Sequence, residues 1–214
     1  KEPMQPSEDE PLAALVFKTS ADPYVGKLTY FRVYTGTINS NSQVWNCTQS
    51  AAERIGQLFL LRGKTQEPIP QVGAGDIGAV AKLNVTSTGD TLGHKDNPVK
   101  LAPITFPEPI FGVAVYPKTK ADLDKLGAAL SRITEEDPTL RVRREPGTGE
   151  TLLLGMGETH LTVAGEKMTR KFGINVNLET PKVPYRETVT ISTETEYRHK
   201  KQTGGHGQYG HVFL

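Results

Sequence analysis

The apolar positions change period about halfway along this chain. Residues 12–17 form an unbroken apolar run, and residues 28–35 (LTYFRVYT) mix aromatic and β-branched side chains as a strand does. Gly36 and residues 39–42, Asn-Ser-Asn-Ser, supply turn chemistry. Strands are expected again over residues 43–47, 53–61 and 78–81, with Gly73, Gly75 and Gly78 marking tight turns or bulges. Short strands at near-regular spacing, parted by Gly, Asn and Asp, predict a closed all-β, Greek-key-like barrel over residues 12–102. The acidic, proline-bearing residues 1–11 read as a linker.

Pro103, Pro107 and Pro109 then stiffen the chain and deny donors to a ladder, so residues 103–109 read as a second linker. Beyond them the rhythm becomes mixed. Residues 110–115 predict a strand. Thr119 offers an N-cap with Asp122 three residues on, and Leu123, Leu126, Leu130 and Ile133 follow at helical spacing. Pro138 ends that helix. Residues 140–144 and 151–154 read as strands joined by a turn at Pro146, Gly147 and Gly149. A second helix begins near Glu158, with Leu161, Ala164, Met168 and Phe172 as its apolar stripe and Gly173 as its C-cap. Residues 174–178 form a last strand. The order βαββαβ predicts an α+β ferredoxin-like domain over residues 110–182, both helices packed on one face of a four-stranded sheet.

Pro181 and Pro184 mark a further boundary, and residues 183–214 read as the truncated start of another α+β unit. There a glycine-rich run, Gly204 to Gly210, leads into Val212, Phe213 and Leu214. That triplet reads as the opening of a strand whose partners are missing. With Lys1 as the first residue, the chain is expected to be a piece of a longer protein.

Composition narrows the chemistry. With 36% hydrophobic and 23% charged residues, the chain matches a soluble globular protein. Its mean hydropathy is −0.41, and no apolar run reaches bilayer length. A net charge of +1 leaves nucleic-acid contact to local basic patches. The single cysteine, Cys47, sits in a strand pattern and reads as a small buried hydrophobe; it excludes an internal disulfide and fits a reducing, cytosolic setting. The phosphate loop G-x-x-x-x-G-K-[ST] is absent: Gly63, Lys64 and Thr65 complete its second half, but Leu58 stands where its first glycine belongs. Glu158 and His160 could form an acid–base pair, against helix-start packing around Gly155 and Gly157. His199, His206 and His211 have no zinc-like spacing.

Basic groups remain. Arg141 and Arg143 share one face of a strand, and Lys167, Arg170 and Lys171 cluster on the second helix. Each is solvated surface charge or a phosphate contact, and the two groups could face one polyanion. Arg198, His199, Lys200 and Lys201, followed by Gly204, Gly205, His206, Gly207, Gln208 and Tyr209, join cations, open backbone and an aromatic ring. That set suits an RNA backbone and unstacked bases, the alternative being a flexible solvent loop.

These residues resemble a known family. Segments 17–19 (FKT), 22–28 (DPYVGKL), 32–37 (RVYTGT), 75–80 (GDIGAV) and 88–92 (TGDTL) are similar to the middle of elongation factor G, the translational GTPase family. So are 117–122 (PKTKAD), 135–139 (EEDPT), 155–158 (GMGE) with His160 and Leu161, 181–188 (PKVPYRET) and 202–211 (QTGGHGQYGH). The matches are collinear and span nearly everything after residue 11.

The resemblance implies that residues 12–102 are the family's second domain, 107–182 its third and 184–214 the first strands of its fourth. It implies a non-catalytic central part of a factor promoting ribosomal translocation. GTP and magnesium would then bind a GTPase domain outside this chain, and no cofactor, catalytic residue or metal would lie within it. The implied partners are the ribosome, through rRNA and ribosomal proteins, and the factor's own GTPase domain. No membrane is implied, and the protein would be a cytoplasmic monomer. Arg141, Arg143, Lys167, Arg170, Arg198, Lys200, Lys201, His206 and Gln208 are the expected ribosome contacts. Thr159, Thr162 and residues 164–166 depart from the usual pattern. They leave open a ribosome-splitting or antibiotic ribosome-protection factor of the same family. A free-standing RNA-binding module is the remaining alternative.

Overall fold

The computed structural model describes residues 5–22, 26–63 and 65–214. Ten strands come first: β1 (Ala13–Asp22), β2 (Gly26–Thr35), β3 (Thr37–Asn39), β4 (Gln43–Asn46), β5 (Ala51–Arg54), β6 (Leu58–Arg62), β7 (Thr65–Ile69), β8 (Gln71–Gly73), β9 (Ile77–Ala81) and β10 (Thr91–Gly93). Eight of them form one antiparallel sheet in the order β5-β4-β10-β1-β2-β9-β6-β7. Val44 on β4, Leu92 on β10, Phe31 on β2, Val80 on β9 and Leu58 on β6 nevertheless share one core. Strands so far apart in the order meet only if the sheet curls around its own apolar face, which makes it a barrel.

The remaining two strands continue the sheet around a corner. β2 passes through Gly36 (φ 73°) into β3, and β8 passes through Gly75 (φ 95°) into β9. β2 pairs with β9, and β3 with β8, so the four strands make one bent ribbon. Its far half adds Ile38 and Val72 to the core. Residues 5–11 lie along this corner: Gly36 donates its N–H to the Ser7 carbonyl (2.8 Å), and the Thr35 hydroxyl donates to the Pro11 carbonyl (2.7 Å).

The single strand expected over residues 53–61 is two. The chain leaves β5 at Ile55, whose N–H reaches the Ser42 carbonyl (2.9 Å), and turns at Gly56, whose carbonyl takes the Asn41 N–H (2.9 Å). It re-enters the sheet as β6 beside β9. β7 contains Pro68 and stands at the end of the sheet order, where a missing donor costs least. Residues 84–90, between β9 and β10, are held by polar bonds. The buried Glu53 carboxylate accepts from the Val85 and Thr86 N–H groups and the Thr86 hydroxyl, each at 2.8 Å. Buried Asp90 accepts from Asn46 (2.9 Å), Gln49 (3.1 Å) and the Ser87 N–H (2.9 Å).

The second architecture is β11 (Phe111–Pro117), α1 (Lys120–Glu136), β12 (Arg141–Arg144), β13 (Thr151–Gly155), α2 (Glu158–Phe172) and β14 (Val176–Glu179). Its four-stranded sheet runs β12-β13-β11-β14, the ferredoxin-like arrangement. Thr119 caps α1 through a reciprocal box with Asp122. Gly173 ends α2 in the left-handed region (φ 64°), its N–H on the Thr169 carbonyl (3.0 Å). Both helices cover one face of the sheet. Leu126, Leu130 and Ile133 of α1 and Leu161, Ala164 and Met168 of α2 meet Val115 and Leu153, and each large side chain so buried contributes roughly 1.5–3 kcal/mol. Leu123, expected in the α1 stripe, is instead 58% exposed. The buried stripe starts at Asp122, whose cap turns Leu123 outward.

Residues 183–214 form a separate unit. β15 (Glu196–Thr203) and β16 (His206–Phe213) make an antiparallel hairpin. The apolar triplet therefore closes a strand instead of opening one. Gly204 and Gly205 both have positive φ (66° and 90°), the signature of a two-residue turn matching strand twist.

Candidate nucleic-acid interface

The hairpin sorts its side chains by alternation. Arg198 stands opposite His211, Lys200 opposite Tyr209, Lys201 opposite Gln208 and Thr203 opposite His206. One face thus carries Glu196, Arg198, Lys200, Tyr209, His211 and Phe213, and the other carries Tyr197, His199, Lys201 and Gln208. On the first face the Lys200 ammonium lies 5.9 Å from the Tyr209 ring centre, and Tyr209 is 66% exposed. A cation stacked on an open aromatic ring offers phosphate and base contacts together. Arg198 is partly neutralised, since Glu196 lies 3.6 Å from it. His211 Nε2 is 3.1 Å from both the Arg198 Nε and the Glu196 carboxylate. Neutral, that nitrogen accepts from Arg198; protonated, it donates to Glu196. The His206 side chain lies outside the described atoms. The alternative of a flexible solvent loop does not hold for the glycine-rich run: Gly204 and Gly205 make the hairpin turn, and Gly207 and Gly210 lie inside β16.

The basic residues of the βαββαβ module do not converge. Arg143 pairs in register with Leu152 and Arg141 with Leu154, whereas the helices cover the face of Leu153. Arg141 and Arg143 therefore point away from the helix layer. Lys167 and the exposed Arg170 belong to α2 on the opposite layer, so the two groups do not share one polyanion-facing surface. Each strand arginine also has an acid beside it. Arg141 makes two contacts with Glu108 (2.6 and 2.8 Å), and Arg143 lies 3.3 Å from Glu145. Lys171 is taken up by Glu136 at 2.6 Å. Lys167 and Arg170 have no ion pair among the described residues.

One surface was missed. On the outward face of β2, Tyr30, Arg32 and Tyr34 alternate with the buried Thr29, Phe31 and Val33. Arg32 stacks on Tyr34 at 5.5 Å and Lys18 of β1 on Tyr30 at 5.7 Å, and Phe17 lies 6.3 Å from Tyr30. The alternation of tyrosine and arginine over residues 30–34 carried this signal. The strand reading used it only as β propensity.

The remaining reactive groups are structural. His160 bonds to Asp137, not Glu158: its Nε2 lies 3.0 Å from the Asp137 carboxylate. Its Nδ1 accepts from the Met156 N–H (3.1 Å), which leaves the ring proton on Nε2 to donate to Asp137. The ring thus ties the turn before α2 to the end of α1. Cys47 is buried, and burial pushes its thiol up. Among the described residues no three His, Cys, Asp or Glu side chains converge as a metal site, and no helix is long and apolar enough to cross a membrane.

Three carboxylates of this module set an expected pH profile. Hydrogen bonds from Thr119 and the Asn175 N–H hold Asp122 below its usual range. Burial alone would raise Asp137, but bonds from Thr139 and His160 outweigh it and lower it. The Tyr116 hydroxyl, then Thr148 and the Lys182 N–H, lower Glu150. Their contribution is present above about pH 4 and lost as pH falls through the folded values. The same Glu150 contact pushes Tyr116 up to about 12. That contribution is present below about pH 10 and is lost as pH rises toward the folded value. Thermal unfolding across pH should show a plateau with an acid and an alkaline shoulder. Glu150→Gln should remove the alkaline shoulder and shrink the acid one, which Asp122 and Asp137 still support.

The order of folds, a barrel, a βαββαβ module and a hairpin, is that of a translation-factor body, and three family models match in succession. Elongation factor G domain 2 covers residues 11–95, elongation factor G domain III residues 106–180, and elongation factor G domain IV residues 181–214. Elongation factor G of Thermotoga maritima is 49% identical over 210 residues, 98% of this chain and 30% of that protein. A crystal structure of a protein from Thermus thermophilus superposes with a TM-score of 0.75 at 37% identity, over 96% of this chain and 31% of that one. The chain belongs to the elongation factor G family, with matches to its domains 2, III and IV. It spans about a third of the length of these relatives.

Proposed function

We propose that this chain is the central, non-catalytic part of a translational GTPase that promotes movement of tRNA and mRNA through the ribosome. The collinear run of three elongation factor G domains carries the reading. Its role is mechanical. GTP and magnesium bind in the factor's own GTPase domain, outside the residues matched here. The barrel and the βαββαβ module pass the resulting bias to the ribosome, so that two distant sites share one equilibrium. The hairpin face of Lys200 and Tyr209 and the β2 face of Arg32 and Tyr34 are the surfaces best suited to rRNA. The factor works as a cytoplasmic monomer.

The test compares the full-length factor with a form whose βαββαβ module is mutated on its surface. Ribosome-stimulated GTP turnover and translocation should both fall, and if both were unchanged the coupling role would be wrong. A wild-type factor that binds ribosomes and hydrolyses GTP without translocating would point to ribosome splitting or protection instead. Calorimetry on this 214-residue chain should detect no GTP or GDP binding.

A further inference from the structure

One ring nitrogen on the hairpin has two partners that it cannot serve together. His211 Nε2 lies 3.1 Å from the Arg198 Nε and 3.1 Å from Glu196 Oε2. The Arg198 N–H needs a lone pair there, and the Glu196 carboxylate needs a proton there. The neutral ring with its proton on Nδ1 therefore holds Arg198, and the charged ring holds Glu196. In the second state Arg198 loses its acceptor and faces a like charge across the same 3.1 Å. Its other anchor weakens too. A terminal nitrogen of Arg198 is 3.6 Å from Glu196 Oε2, the oxygen to which the charged ring then donates.

The surroundings fix the ring and leave the arginine free to swing. His211 packs on Phe213, ring centres 4.3 Å apart, and its side chain is 21% exposed, against 57% for Arg198. The charged groups around the ring are Glu196 and Arg198 of β15, with Glu194 just before that strand lining the same hollow as Glu196 and Phe213. Along β16, Tyr209 and Phe213 flank it on the same face. Arg198 also shares that face with Lys200, two residues on, about 6.8 Å along the strand. A polyanion seated on Lys200 and Tyr209 therefore runs past Arg198.

We propose that His211 is a positioning residue that withholds Arg198 from RNA when neutral and releases it to a phosphate when protonated. The ligand is single-stranded RNA, and the proposal rests on the reading of this face as an RNA surface. Linkage works in both directions: RNA that captures Arg198 favours the charged ring, so binding takes up a proton at His211. The gain in affinity is present below the imidazole's titration and is lost as pH rises through it.

Two measurements on the whole chain test it. In the free chain, the ¹⁵N shift of the Arg198 Nε and the ring shifts of His211 should titrate with one midpoint. An Arg198 signal indifferent to the ring's titration would overturn the switch and leave the RNA reading standing. Fluorescence anisotropy with oligouridylate then compares about pH 5.5 with about pH 8, on either side of the range in which histidine charges. Every histidine of the chain gains charge on acidification, so the comparison is between wild type and variants. Wild type should gain one phosphate contact that Arg198→Ala does not: a salt slope steeper by about 0.7, and binding about fivefold tighter in about 0.1 M salt. His211→Gln keeps an acceptor for Arg198 but cannot charge, and should lack the same increment. Unchanged amide shifts along β15 and β16 establish that each variant keeps the hairpin. A gain that survives Arg198→Ala would place the contact on the imidazole itself and overturn the proposal. A chain that binds no oligouridylate at either pH would overturn the RNA surface, and this proposal with it.

Discussion

Gly36→Ala is expected to destabilise the barrel by roughly 3–5 kcal/mol, from positive-φ strain plus overpacking. The position has φ 73°, and an added Cβ would lie 2.6 Å from the Leu12 Cα and 2.8 Å from the Glu10 carbonyl oxygen. Both neighbours are backbone, so no side chain can rotate away. The corner between β2 and β3 would open, and with it the approach of residues 5–11. Chemical denaturation monitored at Trp45 should show the loss. Gly75→Ala is the control: its φ is 95°, but nothing lies within 4 Å of the added atom, so only the strain remains. Equal effects at both glycines would show that close packing plays no part at Gly36.

Tyr209→Ala should weaken binding of single-stranded RNA by this chain by about 1–3 kcal/mol, the usual value of one stacked base. Lys200→Ala should lower affinity and reduce the salt slope by about 0.7, one single-strand phosphate. Lys201→Ala, on the other face, should do less, and Arg198→Ala should have little effect because Glu196 already offsets that charge. Fluorescence anisotropy over a salt series measures all four variants. Equal losses from Lys200 and Lys201 would refute the division into faces.

The βαββαβ module was the more legible half because its signals are local. The Thr119–Asp122 box, the 161–164–168 stripe and Gly173 each act within a few residues. The barrel was legible as β structure but not strand by strand. β3, β8 and β10 are three residues each, too short for a period, and their pairing partners lie far away in sequence. Leu123 was misread because helical spacing alone does not say which edge of a stripe the cap will turn outward. The candidate contacts were found as residue types, but their faces required the register. Arg141 looked free only because Glu108 is thirty-three positions away.

Residues 84–90 are fastened to the barrel through Glu53 and Asp90, by directional bonds in place of hydrocarbon fit. Tolerance to substitution along that seam is accordingly set by reach and lone pairs, not by volume. Glutamine at position 53 keeps part of the grip, whereas aspartate, one methylene shorter, loses it despite its identical charge. Substitution in this strip of the barrel is therefore limited by acceptor geometry, whereas the aliphatic wall around it is limited by volume.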